Sequence, residues 1–392
     1  MIKIAYNYQI AQGFGGISYY TKGLISHMCQ NSGMNSFKFF LFCNSFRGNF
    51  PPLPEHIRKN CTFIPTRFPL FLSPTIGLGH FFQYKLLYSF LCQKYGIDIF
   101  HGTEALNIVD QKVISVSTVY DLFFLLDQEI DQDKHIIFMR KKRKELDKCD
   151  GIIAISESTR DDLIKINLPE EKIKVIYPGI DDNFLNFFSI KEDTRENDFL
   201  QISKKYSLPQ RYFLYVGNFV LRKNTITLIE VFYNYKKSNS DDIKLVLVGP
   251  FYGSEYHAVR KKVTALGIDS DVIFIDYVGH EELVYIYSKA EIFIFLSLYE
   301  GFGFPPLEAM AVGTPTIVAG NSSLKELCQG YSCLVDPRDV NQILNAIDRI
   351  LNDQNYRKEM VARGIGHAKK FVWDKAIEKT LALYYETAKK HS

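Results

Sequence analysis

Short apolar runs alternate with amphipathic stretches along nearly the whole chain. In the first half, the apolar runs predict strands at 2–8, 37–44, 61–67, 97–101, 113–121, 152–156 and 173–177. Several stretches between them repeat apolar positions with helical spacing, at 17–30, 80–94, 134–148 and 159–166. Continuous apolar strands that alternate with helices indicate a parallel sheet covered by helices on both faces.

The alternation stops once and then starts again. Residues 183–210 carry mixed charge without a clear period, which predicts a linker with a short helix. Further strands are predicted at 211–217, 244–249, 272–278, 292–298, 316–318 and 332–335, and three helical stretches fill 340–390. The sequence therefore predicts an α/β protein with two doubly wound domains, 1–182 and 205–372. No strand of the second domain needs the last helix, so we expect 373–392 to pack back on the first domain.

The composition is that of an ordinary globular protein, with 392 residues, 46% hydrophobic and 23% charged side chains. At about 150 residues per domain, this length fits two domains. The 47 basic and 44 acidic residues leave a formal net charge of +3, whereas a dedicated nucleic-acid binder carries a basic surplus. The seven cysteines are scattered without a CxxC pair, so we expect reduced thiols rather than disulfides or a zinc site.

Two features bear on where the protein acts. The first residues, MIKIAYNYQI, are strand-like and lack the apolar core of a signal peptide. No apolar run approaches the roughly 18 residues of a spanning helix, so we expect a cytoplasmic protein. A basic run at 140–144 follows apolar residues 136–139. A solvated helix face is the simpler interpretation of this run, and peripheral attraction to the anionic inner face of the cytoplasmic membrane is the alternative.

The segment EIFIFLSLYEGFGFPPLEAMAVG carries the strongest chemical signal. It places a tight loop after a buried strand and two prolines in the first turn of the next helix. The loop glycines let backbone amides approach a ligand, and a helix start favours an anionic diphosphate. Glu300 lies in the loop, and we expect Glu308 in the first turn of the helix. Both carboxylates can accept hydrogen bonds from sugar hydroxyls. For Glu308 alone an acidic helix start is the simpler interpretation, but the whole segment favours a ligand site.

A second candidate follows the first strand of the second domain. Gly217 ends the strand, Asn218 follows it, and Arg222, Lys223 and Asn224 precede a helix. Adjacent cations at the carboxyl end of a strand can neutralise a diphosphate, arginine as a planar fork and lysine as a point charge. A solvated basic pair is the alternative, but ligands of doubly wound sheets bind at this edge.

Weaker candidates follow three strands of the first domain. Gly15 and Gly16 form a strand-to-helix turn that is neither GxGxxG nor a P-loop, and a plain tight turn is the alternative to a phosphate or sugar contact. His101 ends a strand and can bind a sugar or transfer a proton, although a structural histidine is more common there. Tyr120 and Asp121 end the next strand, where a carboxylate needs partners.

Metal and hydrolase chemistry have little support in the sequence. The nine histidines are dispersed, and there is no HxH, HExxH, strand-end DxD or GxSxG pattern. The acidic pairs at 181–182 and 241–242 lie in predicted loops, as turn residues do. We therefore expect neither a metal ion nor a bound cofactor.

Taken together, these motifs resemble family 4 of the retaining glycosyltransferases, which have the GT-B fold of two Rossmann-like domains facing each other across a cleft. The spacing from Glu300 to Glu308 matches the EX7E motif of that family, and SLYEGFGFPPLEAMAVGTPTIVA matches its longest signature almost throughout. Further likeness covers nearly the whole chain, at 15–17, 155–160, 177–180, 222–224, 247–250 and 371–375.

The resemblance implies that the second domain binds a nucleotide sugar. Glu308 should grip the ribose hydroxyls, and Glu300 should lie beside the donor sugar. Arg222 and Lys223 should stabilise the leaving diphosphate, a task that a metal ion performs in many other transferases. The further donor-binding candidates are Gly15, Gly16, Gly217, Asn218, Gly301, Phe302, Gly303 and Phe304.

The resemblance also implies that the first domain binds the acceptor, a glycan or lipid-linked glycan. Asp121 is a catalytic candidate, and His101 and Tyr120 are candidates for contact with acceptor or sugar. The family commonly has a histidine where this chain has Tyr120, and the Tyr-Asp-Leu version resembles a subgroup of O-antigen and capsule mannosyltransferases. On that likeness we favour mannose from GDP-mannose, with a UDP-sugar as the alternative donor.

Two other functions stay open at this point. A nucleotide-sugar epimerase of the same fold would turn over the donor without an acceptor. A non-catalytic sugar-nucleotide-binding subunit would bind the donor without turnover, and the intact Glu300, Glu308, Arg222 and Lys223 argue against it. A dinucleotide-dependent oxidoreductase lacks its glycine fingerprint here.

Overall fold

The computed structural model describes residues 1–8, 15–30, 36–45, 50, 53–67, 78–103, 112–123 and 143–391, without the side chains of 78–84 and 254. The chain divides into two compact units. The first is formed by Met1–Gly179 and Val372–Ser392, and the second by Ile180–Phe371. Each unit contains one sheet in which every strand pairing is parallel.

The first unit holds a seven-stranded sheet with the spatial order β3-β2-β1-β4-β5-β6-β7. Its strands are β1 (Ile2–Asn7), β2 (Phe37–Asn44), β3 (Cys61–Thr66), β4 (Ile99–Gly102), β5 (Ile114–Val119), β6 (Gly151–Ala154) and β7 (Ile173–Val175). The helices between them are α1 (Gly16–Gln30), α2 (Glu55–Asn60), α3 (Leu78–Tyr95) and α4 (Glu157–Lys165).

The second unit holds a six-stranded sheet with the order β10-β9-β8-β11-β12-β13. Its strands are β8 (Tyr212–Val216), β9 (Lys244–Val248), β10 (Val272–Ile275), β11 (Ile292–Phe295), β12 (Thr316–Ala319) and β13 (Cys333–Val335). Its helices are α5 (Asp182–Leu185), α6 (Glu192–Tyr206), α7 (Thr225–Ser238), α8 (Ser254–Ala265), α9 (His280–Ser288), α10 (Phe304–Ala311), α11 (Ser322–Cys328), α12 (Val340–Asn352) and α13 (Gln354–Ala368).

The two sheets confirm the predicted doubly wound architecture. Every predicted strand is present, and most end slightly earlier than the apolar run because its last residues already belong to the following loop. The apolar runs are buried on both faces, as in β11, whose four residues have no exposed surface. The strand order reverses between β1 and β4 in one sheet and between β8 and β11 in the other. Ligands of such sheets bind at the carboxyl ends of the strands beside this reversal.

The prediction of a linker with a short helix at 183–210 is wrong. The segment belongs to the second unit, and α6 is a regular helix of 15 residues that packs on α9. Hydrophobic periodicity missed this helix because Ile202 is its one buried residue. Polar contacts fasten it instead. The hydroxyl of Tyr285 donates to Asp198 at 2.7 Å, and Nζ of Lys205 donates to Glu282 at 2.7 Å.

The last helix, α14 (Trp373–Lys390), lies in the first unit, where it packs on α1 and β5. Two glycines make room for its first residue. A Cβ atom on Gly23 would lie 2.1 Å from the Trp373 ring, and one on Gly179 would lie 2.4 Å from the Trp373 backbone nitrogen. The motifs at 177–180 and 371–375 therefore meet in space. The tight packing against Trp373 explains why residue 179 is glycine.

Two expectations from the sequence concern the membrane. Among the described residues, no helix has both the length and the apolar character needed to cross a membrane. Of the basic run at 140–144, residues 140–142 lie outside the described residues, as do the apolar residues 136–139. Membrane contact through this run stays a prediction.

All seven cysteines are free thiols, as the sequence predicted.

Candidate functional site

Two loops meet where the strand order of the second sheet reverses. One follows β8 and the other follows its neighbour β11. Oε1 of Glu300 lies 2.5 Å from Nζ of Lys223, and Oε2 lies 2.8 Å from Nη1 of Arg222. The structure thus brings together three predicted site residues that are 77 and 78 positions apart in the sequence.

All three groups of this cluster are charged. Lys223 and Glu300 are each 8% exposed, and Arg222 is half-buried. Burial alone would raise the pKa of the Glu300 carboxyl, but the charges of Lys223 and Arg222 outweigh it and lower this pKa to about 2. Nζ of Lys223 also lies 4.8 Å from the centre of the Phe295 ring, a cation–π contact. Two cations and one carboxylate leave the cluster with one net positive charge, which suits an anionic ligand.

The backbone around the two cations is held from both sides. Residues Leu221–Lys223 form a turn of 3-10 helix. The carbonyl of Arg222 accepts hydrogen bonds from the backbone N–H of Leu298 at 2.7 Å and from the Ser297 hydroxyl at 3.0 Å. Asn224 has a left-handed backbone with φ 54°, and its amide donates to the carbonyl of Pro337 at 2.8 Å. The cations therefore extend from a rigid turn.

Close packing explains the glycines that follow β8 and β9. A Cβ atom on Gly217 would lie 2.8 Å from the hydroxyl oxygen of Tyr215, and one on Gly249 would lie 2.0 Å from the carbonyl oxygen of Gly217. The Tyr215 hydroxyl donates to the carbonyl of Asn218 at 2.9 Å. Gly217 and Asn218 are half-buried at the start of the loop that ends in the two cations.

Three consecutive polar residues at the start of α11 hold the Glu300 loop. The N–H of Glu300 donates to the Ser322 hydroxyl at 3.0 Å. The Ser323 hydroxyl lies within hydrogen-bond distance of two carbonyls, those of Glu300, at 2.7 Å, and Phe302. Asn321 donates its amide to the carbonyl of Ser297 at 3.1 Å. These bonds fix the backbone from which the Glu300 carboxylate projects.

The second half of the loop is fixed by apolar packing. Gly301, Phe302 and Gly303 are buried and Phe304 is half-buried, and the rings of Phe302 and Phe304 lie 5.0 Å apart. Gly303 has φ +152°, a conformation that side chains disfavour, and a Cβ atom there would lie 3.0 Å from Cδ2 of Leu324. Glycine is therefore required where the loop enters α10.

Glu308 does not lie in the first turn of its helix, so that expectation was wrong. Because α10 begins at Phe304, directly after the loop, Glu308 is its fifth residue and the first turn holds no acidic residue. The two prolines occupy that turn and have no N–H, so the helix start offers fewer amide donors than the sequence suggested. The helix-start interpretation of this carboxylate is thereby removed.

Glu308 is buried, with 4% of its surface exposed, and accepts a hydrogen bond from the Tyr287 hydroxyl at 3.1 Å. Burial raises the pKa of its carboxyl to about 8, Tyr287 lowers it and the nearby charge of Asp181 adds to the increase. A buried carboxyl with one hydrogen-bond donor is costly for the fold. This cost favours a role in binding.

His101 lies at the end of β4 without any exposed surface. Its Nδ1 lies 2.6 Å from the hydroxyl of Tyr384 and its Nε2 lies 2.8 Å from the hydroxyl of Thr118. Burial lowers the pKa of the ring to about 3, so it is neutral. This geometry supports the structural histidine rather than a sugar contact.

The remaining candidates lie at the carboxyl edge of the first sheet. Gly15, with φ +97°, and Gly16 are exposed at the start of α1, and no described atom lies within 4 Å of a Cβ added to either. Residues 12–14 of the same turn lie outside the described residues. Tyr120 and Asp121 are half-buried, and the Tyr120 ring lies 5.2 Å from that of Tyr20. Contact of these four residues with a ligand stays a prediction.

No group of three or more histidine, cysteine, aspartate or glutamate side chains converges on a common point in the part of the chain that the structure describes.

The profile of Glycosyltransferase Family 4 matches residues 14–184, and that of Glycosyl transferases group 1 matches residues 198–367. The chain belongs to the family 4 glycosyltransferases.

Curated relatives of this glycosyltransferase include mannosyltransferases of Escherichia coli. It is 28% identical to the O-antigen chain mannosyltransferase B over 273 residues, which covers 69% of this chain and 70% of that protein. It is 26% identical to the serotype-specific mannosyltransferase WbdA over 263 residues, which covers 66% of this chain and 32% of that longer protein.

The solved structures show the fold. Sucrose-phosphate synthase from Thermosynechococcus elongatus superposes on this glycosyltransferase with a TM-score of 0.78, at 21% identity, over 98% of this chain and 99% of that chain. Together with the two parallel sheets, this likeness establishes the GT-B fold.

The sequence did not reveal two parts of the site. The polar residues 321–323 follow β12 at the same sheet edge as Glu300, so the strand-end rule that found Glu300 would have found them too. Tyr287 gave no such signal, because it lies on a helix among apolar residues. Its contact with Glu308 depends on how α9 and α10 pack.

Proposed function

We propose that this glycosyltransferase moves a mannosyl residue from GDP-mannose to a surface glycan carried on a lipid, with retention of the anomeric configuration and without a metal ion. The observation that carries the proposal is the buried cluster of Arg222, Lys223 and Glu300 at the reversal point of the second sheet. The mannosyltransferase names of the relatives support mannose as the sugar.

The two cations suit the charge that develops on the leaving diphosphate. Breaking the bond between the anomeric carbon and the phosphate oxygen leaves negative charge on the diphosphate and positive character on the sugar. Donors that are already oriented in a site of low dielectric constant stabilise such charge without reorganising. Arg222 and Lys223 are held in this way by Glu300, whose carboxylate contacts both of them. A bound diphosphate would take over part of these contacts and free Glu300 for the sugar hydroxyls.

Glu308 supplies the second part of donor recognition. It follows Glu300 by eight residues and lies on α10, the helix that the Glu300 loop enters, as a buried carboxyl that accepts a hydrogen bond from Tyr287. In the proposed complex its carboxylate accepts hydrogen bonds from the ribose hydroxyls. These would compensate for the burial of the charge.

From the first domain we propose that Asp121 and Tyr120, at the end of β5, act on the acceptor or the sugar and that the backbone of Gly15 and Gly16 contacts the donor. Among the described residues no atom lies within 4 Å of a Cβ added to either glycine, which supports an approach of ligand oxygens to the α1 N-terminus. His101 is left out, since both its ring nitrogens already have partners in the core.

The donor is tested by thermal shift against GDP, UDP, ADP and dTDP and their sugar conjugates. A ligand that binds only the folded protein raises the melting temperature by an amount set by its concentration over its affinity. We expect the largest shift with GDP and GDP-mannose. A larger shift with a UDP-sugar would replace the donor and keep the reaction class, and no shift with any nucleotide would overturn the proposal.

The reaction itself is tested by incubating the protein and GDP-mannose with a lipid-linked glycan extract. We expect a mannosylated product whose anomeric configuration, read by proton NMR, matches that of the donor. The rate should be unchanged by EDTA. Release or epimerisation of the sugar without an acceptor would favour the epimerase. Tight binding of GDP-mannose without turnover would favour a non-catalytic subunit.

A lipid-linked acceptor also implies action at a membrane surface. We propose peripheral contact through the basic run at 140–144. Flotation with anionic vesicles tests this, since neutral vesicles or 1 M salt should abolish binding. Binding that ignores lipid charge would contradict it.

A further inference from the structure

Tyr287 is fixed on every side. It has no exposed surface, and its carbonyl accepts a hydrogen bond from the Thr314 hydroxyl at 2.6 Å. Its ring lies 5.6 Å from the ring of Phe184 and 5.3 Å from that of Phe293. The phenol therefore has little freedom, and its oxygen stays 3.1 Å from Oε2 of Glu308.

A carboxylate that binds two ribose hydroxyls has to be oriented and ionised. A held Oε2 restricts rotation of the Glu308 carboxyl. The same hydrogen bond favours the ionised form, which accepts stronger hydrogen bonds than the acid. The titratable groups that act on Glu308 are Tyr287, from α9, and Asp181, just before α5. Asp181 in turn lies 3.7 Å from Nδ1 of His280.

We propose that Tyr287 is a positioning residue for the nucleotide: its hydroxyl holds Oε2 of Glu308 and leaves Oε1 to accept hydrogen bonds from the ribose. This inference rests on the proposed function, in which Glu308 binds the donor. It assigns a role in nucleotide recognition to a tyrosine of the core.

The test is Tyr287→Phe, which removes one oxygen and keeps the ring. We expect Kd for GDP and KM for GDP-mannose to rise about tenfold at pH 7, the effect of one hydrogen bond to a charged group, with kcat within about twofold. Burial already raises the pKa of Glu308 to about 8. Donor affinity should therefore fall as the pH drops below this value. Loss of the hydroxyl should shift that fall to higher pH. Calorimetric titration with GDP from pH 6 to 9.5 measures both effects.

The matched control is Tyr285→Phe. This tyrosine lies on the same helix and also donates to a carboxylate, but to that of Asp198, at 2.7 Å, instead of Glu308. We expect the control to leave Kd for GDP and its pH dependence unchanged. A purely structural role of the buried phenol would make the two variants behave alike.

A second variant covers poor folding of the first. Replacement of Tyr287 by 3-fluorotyrosine keeps the hydroxyl and makes it a stronger acid and a stronger donor, so the pH at which GDP affinity falls should move down. If the pH at which GDP affinity falls is unchanged in both variants, the inference is overturned. The proposed donor site would still stand in that case, provided that Glu308→Gln weakens GDP binding. If wild type binds UDP instead, the same comparison is made with UDP. If it binds none of GDP, UDP, ADP and dTDP, the proposed function and the inference fall together.

Discussion

His101 and Glu300 occupy equivalent places in the two sheets and have opposite electrostatic character. In each sheet the strand order reverses once, between β1 and β4 or between β8 and β11. His101 lies in β4, and Glu300 lies in the loop after β11. His101 is neutral, with a pKa lowered to about 3 by burial, and two hydroxyls flank its ring. Glu300 is charged, with a pKa lowered to about 2 by the two cations that outweigh its burial.

The difference shows that topology offers both edges as sites and that the neighbours of each side chain decide which edge carries charge. A buried charge costs several kcal/mol unless it is paired, and a neutral polar group needs only hydrogen bonds. Around His101 the sequence supplies two hydroxyls, one of them from Tyr384 of helix α14, and these hold the ring as part of the core. Around Glu300 it supplies an arginine and a lysine, which keep the second edge charged and ready for an anionic ligand.

The largest expected effect is on stability, in Glu300→Ala. The substitution leaves Lys223 buried and Arg222 half-buried without their shared carboxylate. Breaking a buried pair by removing one partner costs about 3–5 kcal/mol. Hydrogen exchange of the amides of β8 and β11 should show a loss of protection of this size.

Glu291→Ala is the control for that variant. Glu291 also bonds two cations, Arg211 at 2.8 Å and Arg357 at 3.0 Å, but its side chain is 21% exposed against 11% for Glu300. Water can therefore replace its contacts, and we expect a smaller loss. Equal losses in the two variants would mean that the Glu300 cluster is an ordinary ion pair.

The next effect in size is on catalysis, in Lys223→Ala. If this ammonium stabilises the leaving diphosphate, its loss should lower kcat by about 10² to 10³, the range found when one preorganised donor is removed. The measurement is the initial rate of sugar transfer at saturating donor. Lys244→Ala removes a lysine that pairs with Asp271 at 2.7 Å in the same sheet, and it should leave kcat within about twofold. A near-normal rate for Lys223→Ala would assign that lysine to folding.

The sequence predicted the charged edge well because its residues follow strands. Apolar runs located β8 and β11, and parallel strands place their carboxyl ends at one edge. The approach of Arg222 and Lys223 to Glu300 could therefore be expected before any coordinates. The resemblance to a family added roles to these residues but was not needed for their convergence.

Three features could not be predicted, for related reasons. Glu308 was misplaced by one turn because α10 starts before its prolines, and helix boundaries are the least certain part of a sequence interpretation. Helix α6 was missed because polar bonds rather than an apolar stripe fasten it. The contact between Tyr287 and Glu308 depends on how α9 packs on α10. Neither the types of these two residues nor their spacing in the sequence predicts it.

A smaller effect is expected at the neutral histidine, in His101→Phe. Phenylalanine keeps an aromatic ring, a somewhat larger one, but the hydroxyls of Tyr384 and Thr118 lose their shared partner, which costs about 1–3 kcal/mol. The single tryptophan, Trp373, lies in the first unit, so its fluorescence follows the urea unfolding of that unit. We expect kcat within a few-fold of wild type below the unfolding transition. A fall of 10² or more in a folded variant would break the comparison by giving His101 a catalytic role.

The smallest effect is expected in Glu308→Gln at low pH, and it should grow as the pH rises. The folded-state pKa of about 8 lies above the ordinary 4.5, so the carboxyl is protonated in the fold where the unfolded chain would ionise it. The stability it contributes is full below about pH 4.5 and is lost as the pH rises through 8. Glutamine has no such dependence.

Calorimetric melting of both proteins at pH 4 and pH 8.5 checks this prediction. The variant should match wild type at the lower pH and melt at a higher temperature at the upper one, while losing affinity for GDP. Glu359→Gln, at an exposed position of α13, should show no difference at either pH. A wild type that is the more stable protein at pH 8.5 would mean that Glu308 is ionised and well paired within the fold. The carboxyl would then be satisfied within the fold, as His101 is, and its burial would no longer argue for a ligand.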